Sequence, residues 1–169
     1  MIGIRRMRAE DAAMMREVFL KHGIRRDEEY YPRCWRENEA GARITLLAFR
    51  DGEYAGSLHL LARSDYPYFA ENGIPEINDF NVIPPMRRQG IGDALLDAVE
   101  KIALEKYGIV GIGVGLTASY GQAQRLYARR GYIPDGRGVV YKGRPVPFGE
   151  QVPVDHDLNL FFTKTAERL

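Results

Sequence analysis

The 169-residue chain has one cysteine, Cys34. That excludes an internal disulfide and a cysteine-based zinc site. The residue itself reads as a small buried hydrophobe rather than a reactive thiol. A surplus of charge is also missing. Twenty-four basic side chains stand against 23 acidic ones, for a net charge of +1, so no electrostatic footprint points to nucleic acid or to an anionic membrane. No apolar run approaches the roughly 18 residues that span a bilayer. Met1-Ile2-Gly3-Ile4-Arg5-Arg6 lacks the apolar core of a signal peptide. The expected location is cytoplasmic, with neither nucleic acid nor membrane as partner. Asp155-His156-Asp157 has no second histidine nearby in sequence, so it reads as a solvated loop and no metal is expected. Internal repeats and low-complexity segments are absent.

What is present suits one ordinary folded domain over residues 1–169. Hydrophobic residues at 45% and charged residues at 28% are those of a soluble globular chain. The length is enough to bury a core without staples. The most informative stretch runs from Pro75 to Leu96. Ile77, Phe80, Val82 and Ile83 supply a strand, bounded by Pro75 and by Pro84-Pro85. Two prolines lack backbone donors and end a ladder. Beyond them, Ile91, Leu95, Ala98 and Ile102 recur at helical spacing.

The loop between strand and helix, Arg87-Arg88-Gln89-Gly90-Ile91-Gly92, suits an anion. A helix start has unpaired N–H groups and partial positive charge. Glycines allow close approach of a phosphate, and arginines add charge and bidentate donors. A nucleotide-hydrolase phosphate loop ends Gly-Lys-Ser/Thr, whereas Gly92 is followed by Asp93 and Ala94. The dinucleotide fingerprint has three glycines in an early strand–helix unit, whereas here there are two in mid-chain. Both of those readings fail on particular residues.

The six-residue loop resembles the acetyl-coenzyme A loop of the GCN5-related N-acetyltransferases, whose signature is Arg/Gln-x-x-Gly-x-Gly/Ala after a strand ending in an apolar-x-Val-x-Pro run. Phe80-Asn81-Val82-Ile83-Pro84 fits that run. A second stretch resembles the family's Asn-x-x-Ala-x-x-Leu-Tyr-x-x-x-Gly-Phe/Tyr pattern through Ala123, Leu126, Tyr127, Gly131 and Tyr132. It departs from the pattern at Tyr120, where the family commonly has the Asn that contacts the pantetheine region. The resemblance implies an α/β (α+β) fold. A mixed, mostly antiparallel sheet of six to seven strands would be flanked by about four helices.

Other segments agree with that architecture. Ile2-Gly3-Ile4-Arg5-Arg6-Met7-Arg8 alternates like a strand, and a helical run follows to Gly23. Residues 24–42 read as a loop and short helix, with Tyr30, Tyr31 and Trp35 either packed at the core edge or walling an acceptor pocket. Asp51-Gly52 marks a hairpin between Arg43–Arg50 and Tyr54–Leu61. Asp65–Phe69 reads as a surface loop. Gly111, Gly113 and Gly115 strip one face of a strand of side chains, which predicts close approach there by a helix or by the pantetheine arm. The proline-rich segment 143–153 reads as a loop over the acceptor side.

Acetyl transfer from a thioester to an amine needs a proton acceptor, oxyanion donors and a proton for the thiolate. The resemblance implies N-acetyltransfer from acetyl-coenzyme A, as co-substrate, to a primary amine of a small molecule or protein by direct attack. Tyr127 would be the general acid. Glu76, or Asp79 as a close alternative, would be the base. The backbone of Phe80 to Val82 would polarise the carbonyl, with Val82 pairing to the pantetheine amide. Arg87, Arg88, Gln89, Gly90, Ile91, Gly92 and Asp93 would cradle the pyrophosphate, and Tyr120 would take the place of the family Asn. A non-catalytic acetyl-coenzyme A sensor is the alternative. Family members often form homodimers, although no residue here marks a dimer surface.

Overall fold

The computed structural model describes residues 1–167. Eight strands and five α-helices make a mixed α/β fold among the described residues. They group into two compact units, residues 1–62 with 77–102 and residues 63–76 with 103 onward.

The first unit contains β1 (Ile2–Arg6), α1 (Asp11–Lys21), α2 (Tyr30–Glu39), β2 (Arg43–Arg50) and β3 (Glu53–Leu61). Nearly all of β4 (Glu76–Val82) and most of α4 (Ile91–Tyr107) also belong to it. Its strands lie in the order β1-β2-β3-β4, with β1–β2 and β2–β3 antiparallel. Asp51 and Gly52, at φ +49° and +86°, form the left-handed pair that the Asp-Gly signal predicts for a tight hairpin. Met7, Met15, Phe19, Tyr30, Tyr31, Cys34, Leu47, Tyr54 and Ile83 form one core cluster. Cys34 is fully buried, as its small apolar character predicts. In α4 the buried stripe is Ile91, Leu95, Val99 and Ala103, with Leu96 beside it. Ala98 and Ile102 sit half-buried on its flank. The apolar face is therefore rotated from the one that the spacing first suggests.

The second unit contains α3 (Pro67–Glu71), β5 (Ile109–Gly115), α5 (Gly121–Arg129), β6 (Ile133–Tyr141), β7 (Arg144–Pro145) and β8 (Leu158–Thr165). Its strands run in the order β5-β8-β6-β7, each neighbouring pair antiparallel. The count exceeds expectation by short pieces. β7 is a two-residue pairing after the Lys142-Gly143 turn. The supposed surface loop at 65–69 is partly helix α3, because Pro67 can open a helix and Phe69 is fully buried. Tyr66, Phe69, Ile74, Val140 and Phe161 make this unit's aromatic-rich cluster.

The three glycines of β5 have a definite explanation. Phe69 occupies the space beside Gly111, Tyr120 that beside Gly115, and a Cβ at Gly113 would lie 2.8 Å from Phe161 Cε1. Phe161 is the cross-strand partner of Gly113. The bare face is filled by aromatic rings: helix α3 approaches Gly111 through Phe69, as the helix alternative expects, while β8 and the turn before α5 supply the rings at Gly113 and Gly115.

Candidate active site

The loop after β4 is held in shape by its own side chains. Pro84–Met86 form one 3-10 turn, in which the Met86 N–H donates to Ile83 O at 2.9 Å. Arg87 Nε donates to Val82 O at 3.0 Å, and Gln89 Nε2 donates to Pro85 O at 2.9 Å. Arg88 and Gly90 take left-handed backbone angles, φ +60° and +82°. The Ala94 N–H donates to Gly90 O at 3.0 Å, which begins α4. The N–H groups of Ile91 and Gly92 therefore have no acceptor within the helix. Ile91 is buried and anchors the turn. At Gly92 a Cβ would come within 3.1 Å of Phe80 Cζ, so glycine there lets the helix start sit close on β4.

These features fit a diphosphate. Donors at the positive end of a 17-residue helix are available to an anion. The loop is exposed from Arg87 to Gly90. Arg87 and Gln89 spend donors on the loop itself, so they shape it. The exposed Arg88 is the basic side chain without such a tie. Asp93 puts one negative charge in the first helical turn.

On β4, Asp79 stands at φ +47°. A left-handed residue in a strand breaks the alternation of faces, as a bulge residue does. Its carboxylate receives Arg26 Nη2 at 2.6 Å on Oδ1, Asn81 Nδ2 at 2.6 Å on Oδ1, and the Tyr30 hydroxyl on Oδ2. Burial pushes the Asp79 pKa up. The hydrogen bonds from Arg26 and Tyr30 outweigh burial and hold it below the usual carboxylate value.

The polarity of the buried network behind Asp79 follows from donor rules. A carboxylate only accepts, so Tyr30 donates to Asp79 and must accept from His59 Nε2, at 2.8 Å. His59 Nδ1 is then bare and accepts from Thr45 Oγ1 at 2.8 Å. Thr45 Oγ1 in turn accepts from Asn38 Nδ2, and the Thr45 N–H, donating to Asn38 Oδ1, fixes the amide's orientation. Burial and nearby Arg43 and Arg26 push the His59 pKa down to about 3 despite Asp79. His59 is therefore neutral, and its 3.9 Å approach to Asp79 Oδ2 is no ion pair. Tyr30 and Tyr31, open in sequence between packing and acceptor wall, are core residues here, and Tyr30 adds the polar link.

Within the second unit, Glu76 is 7% exposed. Burial, aided by Asp65 and opposed by the Ser64 hydrogen bond, raises its pKa to about 7. Such a group can both take and release a proton near neutrality. Asp79, ionised and tied to Arg26, is poorly suited to do so.

Tyr127 sits in the last turn of α5. The N–H of Tyr132 donates to Tyr127 O at 3.1 Å, and that of Gly131 to Ala128 O at 3.2 Å, with Gly131 at φ +87°. This is a Schellman cap, and the two tyrosine rings pack 5.9 Å apart. The sequence pattern Tyr-x-x-x-Gly-Tyr thus fixes where the Tyr127 ring lies. Its pKa is raised by burial. Tyr120 packs on Gly115, and its hydroxyl pairs with His156 Nδ1 at 2.8 Å. His156 is thereby a positional partner of Tyr120.

Among the expected residues, the structure brings Phe80 against Gly92 in the first unit and separates Glu76 and Asp79 into unlike environments. Sequence reasoning missed Ser64, Arg26 and His59. None lies in a motif, and each acts through a partner distant in sequence. No group of three or more His, Cys, Asp or Glu suited to a metal occurs among the described residues. No helix among them is long and apolar enough to cross a membrane.

Comparison with known proteins gives a consistent answer. The model of the Acetyltransferase (GNAT) family matches residues 7–132. No curated protein sequence matches the chain. Among solved structures, a GNAT-family protein from Desulfovibrio desulfuricans superimposes with TM-score 0.72 at 19% identity, covering 98% of this chain and 99% of that one. An acetyltransferase from Salmonella typhimurium that modifies the N-terminal serine of ribosomal protein L7/L12 gives 0.72 at 13%, covering 98% and 95%. The ribosomal-protein-S18-alanine N-acetyltransferase of Escherichia coli gives 0.70 at 17%, covering 100% and 96%. At these identities the structural likeness establishes the fold.

Proposed function

The chain belongs to the Acetyltransferase (GNAT) family, and on that premise we propose that it transfers acetyl from acetyl-coenzyme A to a primary amine of a small molecule or protein. The observation that carries this reading is the start of α4, where Gly90 at φ +82° leads into a helix whose first internal hydrogen bond runs from the Ala94 N–H to Gly90 O, so that the N–H groups of Ile91 and Gly92 face out of the helix start. Backbone donors from Arg88 to Asp93, with the Arg88 side chain, hold the diphosphate. The backbone of Phe80 and Val82 on β4 donates to the developing oxyanion and pairs with the pantetheine amide. Bound acetyl-coenzyme A supplies a thioester carbonyl open to attack and a thiolate that departs.

The protein's residues manage the protons. Glu76 takes one proton from the acceptor ammonium and leaves a neutral nucleophile. Tyr127 gives its proton to the sulfur and is restored by the surplus proton of the new amide nitrogen. Glu76 releases its proton to solvent, so the cycle yields an amide, a free thiol and one proton. Tyr120, fixed by His156, stands in for the usual Asn.

One similar structure is named for modifying the N-terminal serine of a ribosomal protein and another as a ribosomal-protein-alanine N-acetyltransferase, which is why N-terminal peptides join polyamines, aminoglycosides and amino acids in an acceptor panel. The test is colorimetric thiol release from acetyl-coenzyme A across that panel. Amine-dependent release supports the transferase reading. Tight coenzyme binding with no release for any amine overturns it in favour of a sensor.

A further inference from the structure

Glu76 has two carboxylate oxygens, and the protein occupies one. Ser64 Oγ lies 3.1 Å from Glu76 Oε2, and both residues are buried. The backbone N–H of Tyr66 donates to the same Ser64 oxygen at 3.0 Å. A backbone N–H can only donate, so Ser64 accepts there and its own proton is directed at Glu76. Tyr66 is itself immobilised. Its ring stacks on Phe161 with centroids 4.0 Å apart, and its hydroxyl donates to Asp135 Oδ2 at 2.9 Å. The Ser64 hydroxyl is thus a donor of fixed direction, set by the aromatic cluster under α3.

We propose that Ser64 is a positioning residue for Glu76, holding Oε2 so that Oε1 is the atom that takes the proton of the acceptor amine. This rests on the reading of Glu76 as the base. The neighbourhood contains little else to do the work. Asp65 is the charged group that acts on Glu76, and it disfavours ionisation. The chain next to Glu76 is tied to β5, where the Gly111 N–H donates to Pro75 O at 2.9 Å, and β5 carries no charged side chain. On α3, Glu71 is exposed at the helix end. On β6, Asp135 is engaged by Tyr66, and Arg137 lies 4.2 Å over the Tyr68 ring. A donated hydrogen bond favours the ionised carboxylate. Among the described residues, Ser64 is therefore the neighbour that keeps Glu76 available as a base against burial and Asp65.

The experiment compares kcat/KM against pH for the wild type, Ser64→Ala, Ser64→Thr and Glu76→Gln, together with an NMR titration of the Glu76 carboxyl in each folded protein. Loss of one such bond should move the acid limb of Ser64→Ala to higher pH by about one unit. The high-pH plateau should be kept, and the NMR pKa should move in parallel. Ser64→Thr, which keeps the hydroxyl, should restore the wild-type limb. Ser64→Cys, a weaker donor of similar size, gives a smaller shift in the same direction and serves if the alanine variant does not fold. An equal loss of activity at every pH, with the Glu76 titration unmoved, overturns the proposal and leaves Ser64 a packing residue. Failure of the base reading shows separately. Glu76→Gln would then keep the wild-type rate and acid limb, and the role assigned to Ser64 would fall with it.

Discussion

The Tyr30 hydroxyl donates to the carboxylate of Asp79, the residue at which β4 turns left-handed. One side chain of α2 thus braces an irregular point on a strand 49 residues away in sequence. Arg26 completes the brace with its 2.6 Å ion pair. Removing Asp79 leaves a half-buried guanidinium and a buried phenol without their acceptor.

Asp79→Ala should therefore cost about 1–3 kcal/mol, the range for leaving buried hydrogen-bonding groups without their partner. Asp79→Asn should cost less, because Asn tolerates positive φ and still accepts a hydrogen bond. The Asp79 pKa is lowered on folding, so its contribution is present above the unfolded-state value near 4 and is lost as pH falls through the folded value. Urea unfolding at pH 7 and at pH 3 checks this. The gap between wild type and Asp79→Asn should narrow at the lower pH.

Glu76 gives the opposite slope. Its folded pKa is raised to about 7. The stability associated with its protonated form is complete below the unfolded value near 4.3 and is lost as pH rises through about 7. Glu76→Gln should thus be more stable than wild type at pH 8, by about 2–3 kcal/mol, while losing amine acetylation. Denaturant melts at pH 5 and pH 8 read the stability, and thiol release reads the activity. Equal stabilities at pH 8 would show that the buried carboxyl carries no ionisation cost.

A methyl group at Gly111 would enter the space of the Phe69 ring. Gly111→Ala should destabilise the protein by about 1–3 kcal/mol through overpacking. Gly111→Ala combined with Phe69→Leu should recover part of that loss. Purely additive losses in the double variant would contradict the direct clash.

Elements whose signals are local were readable from the sequence. Asp51-Gly52 named its turn, and the spacing from Ile91 named a helix. The loop Arg87–Gly92 was readable because its chemistry is mostly backbone and its spacing is short. Three things were not readable. Phe69, Tyr120 and Phe161 come from separate parts of the chain to fill the β5 glycines, and no local pattern encodes which ring meets which glycine. The environments of Glu76 and Asp79 depend on Ser64, Arg26 and Tyr30, all remote or outside any motif. The left-handed angle at Asp79 also defeats the rule of alternating faces, which is the rule used to sort strand residues by side.

Tyr127→Phe removes the proton proposed for the departing thiolate and keeps the ring packed on Tyr132. kcat should fall by about 10²–10⁴-fold, with acetyl-coenzyme A affinity unchanged. Burial raises the Tyr127 pKa above its ordinary value of 10, so the wild-type rate should show no fall from this group up to pH 10. An unchanged kcat in Tyr127→Phe would remove the tyrosine from the chemistry.

The most direct measurement is calorimetric titration of acetyl-coenzyme A into the wild type and Gly90→Asp, with folding of both confirmed by circular dichroism. Aspartate at φ +82° strains the loop and sets a second negative charge at the helix start. The expected result is measurable binding to the wild type and none to Gly90→Asp. Equal affinity in the two proteins would contradict a diphosphate seat at the head of α4.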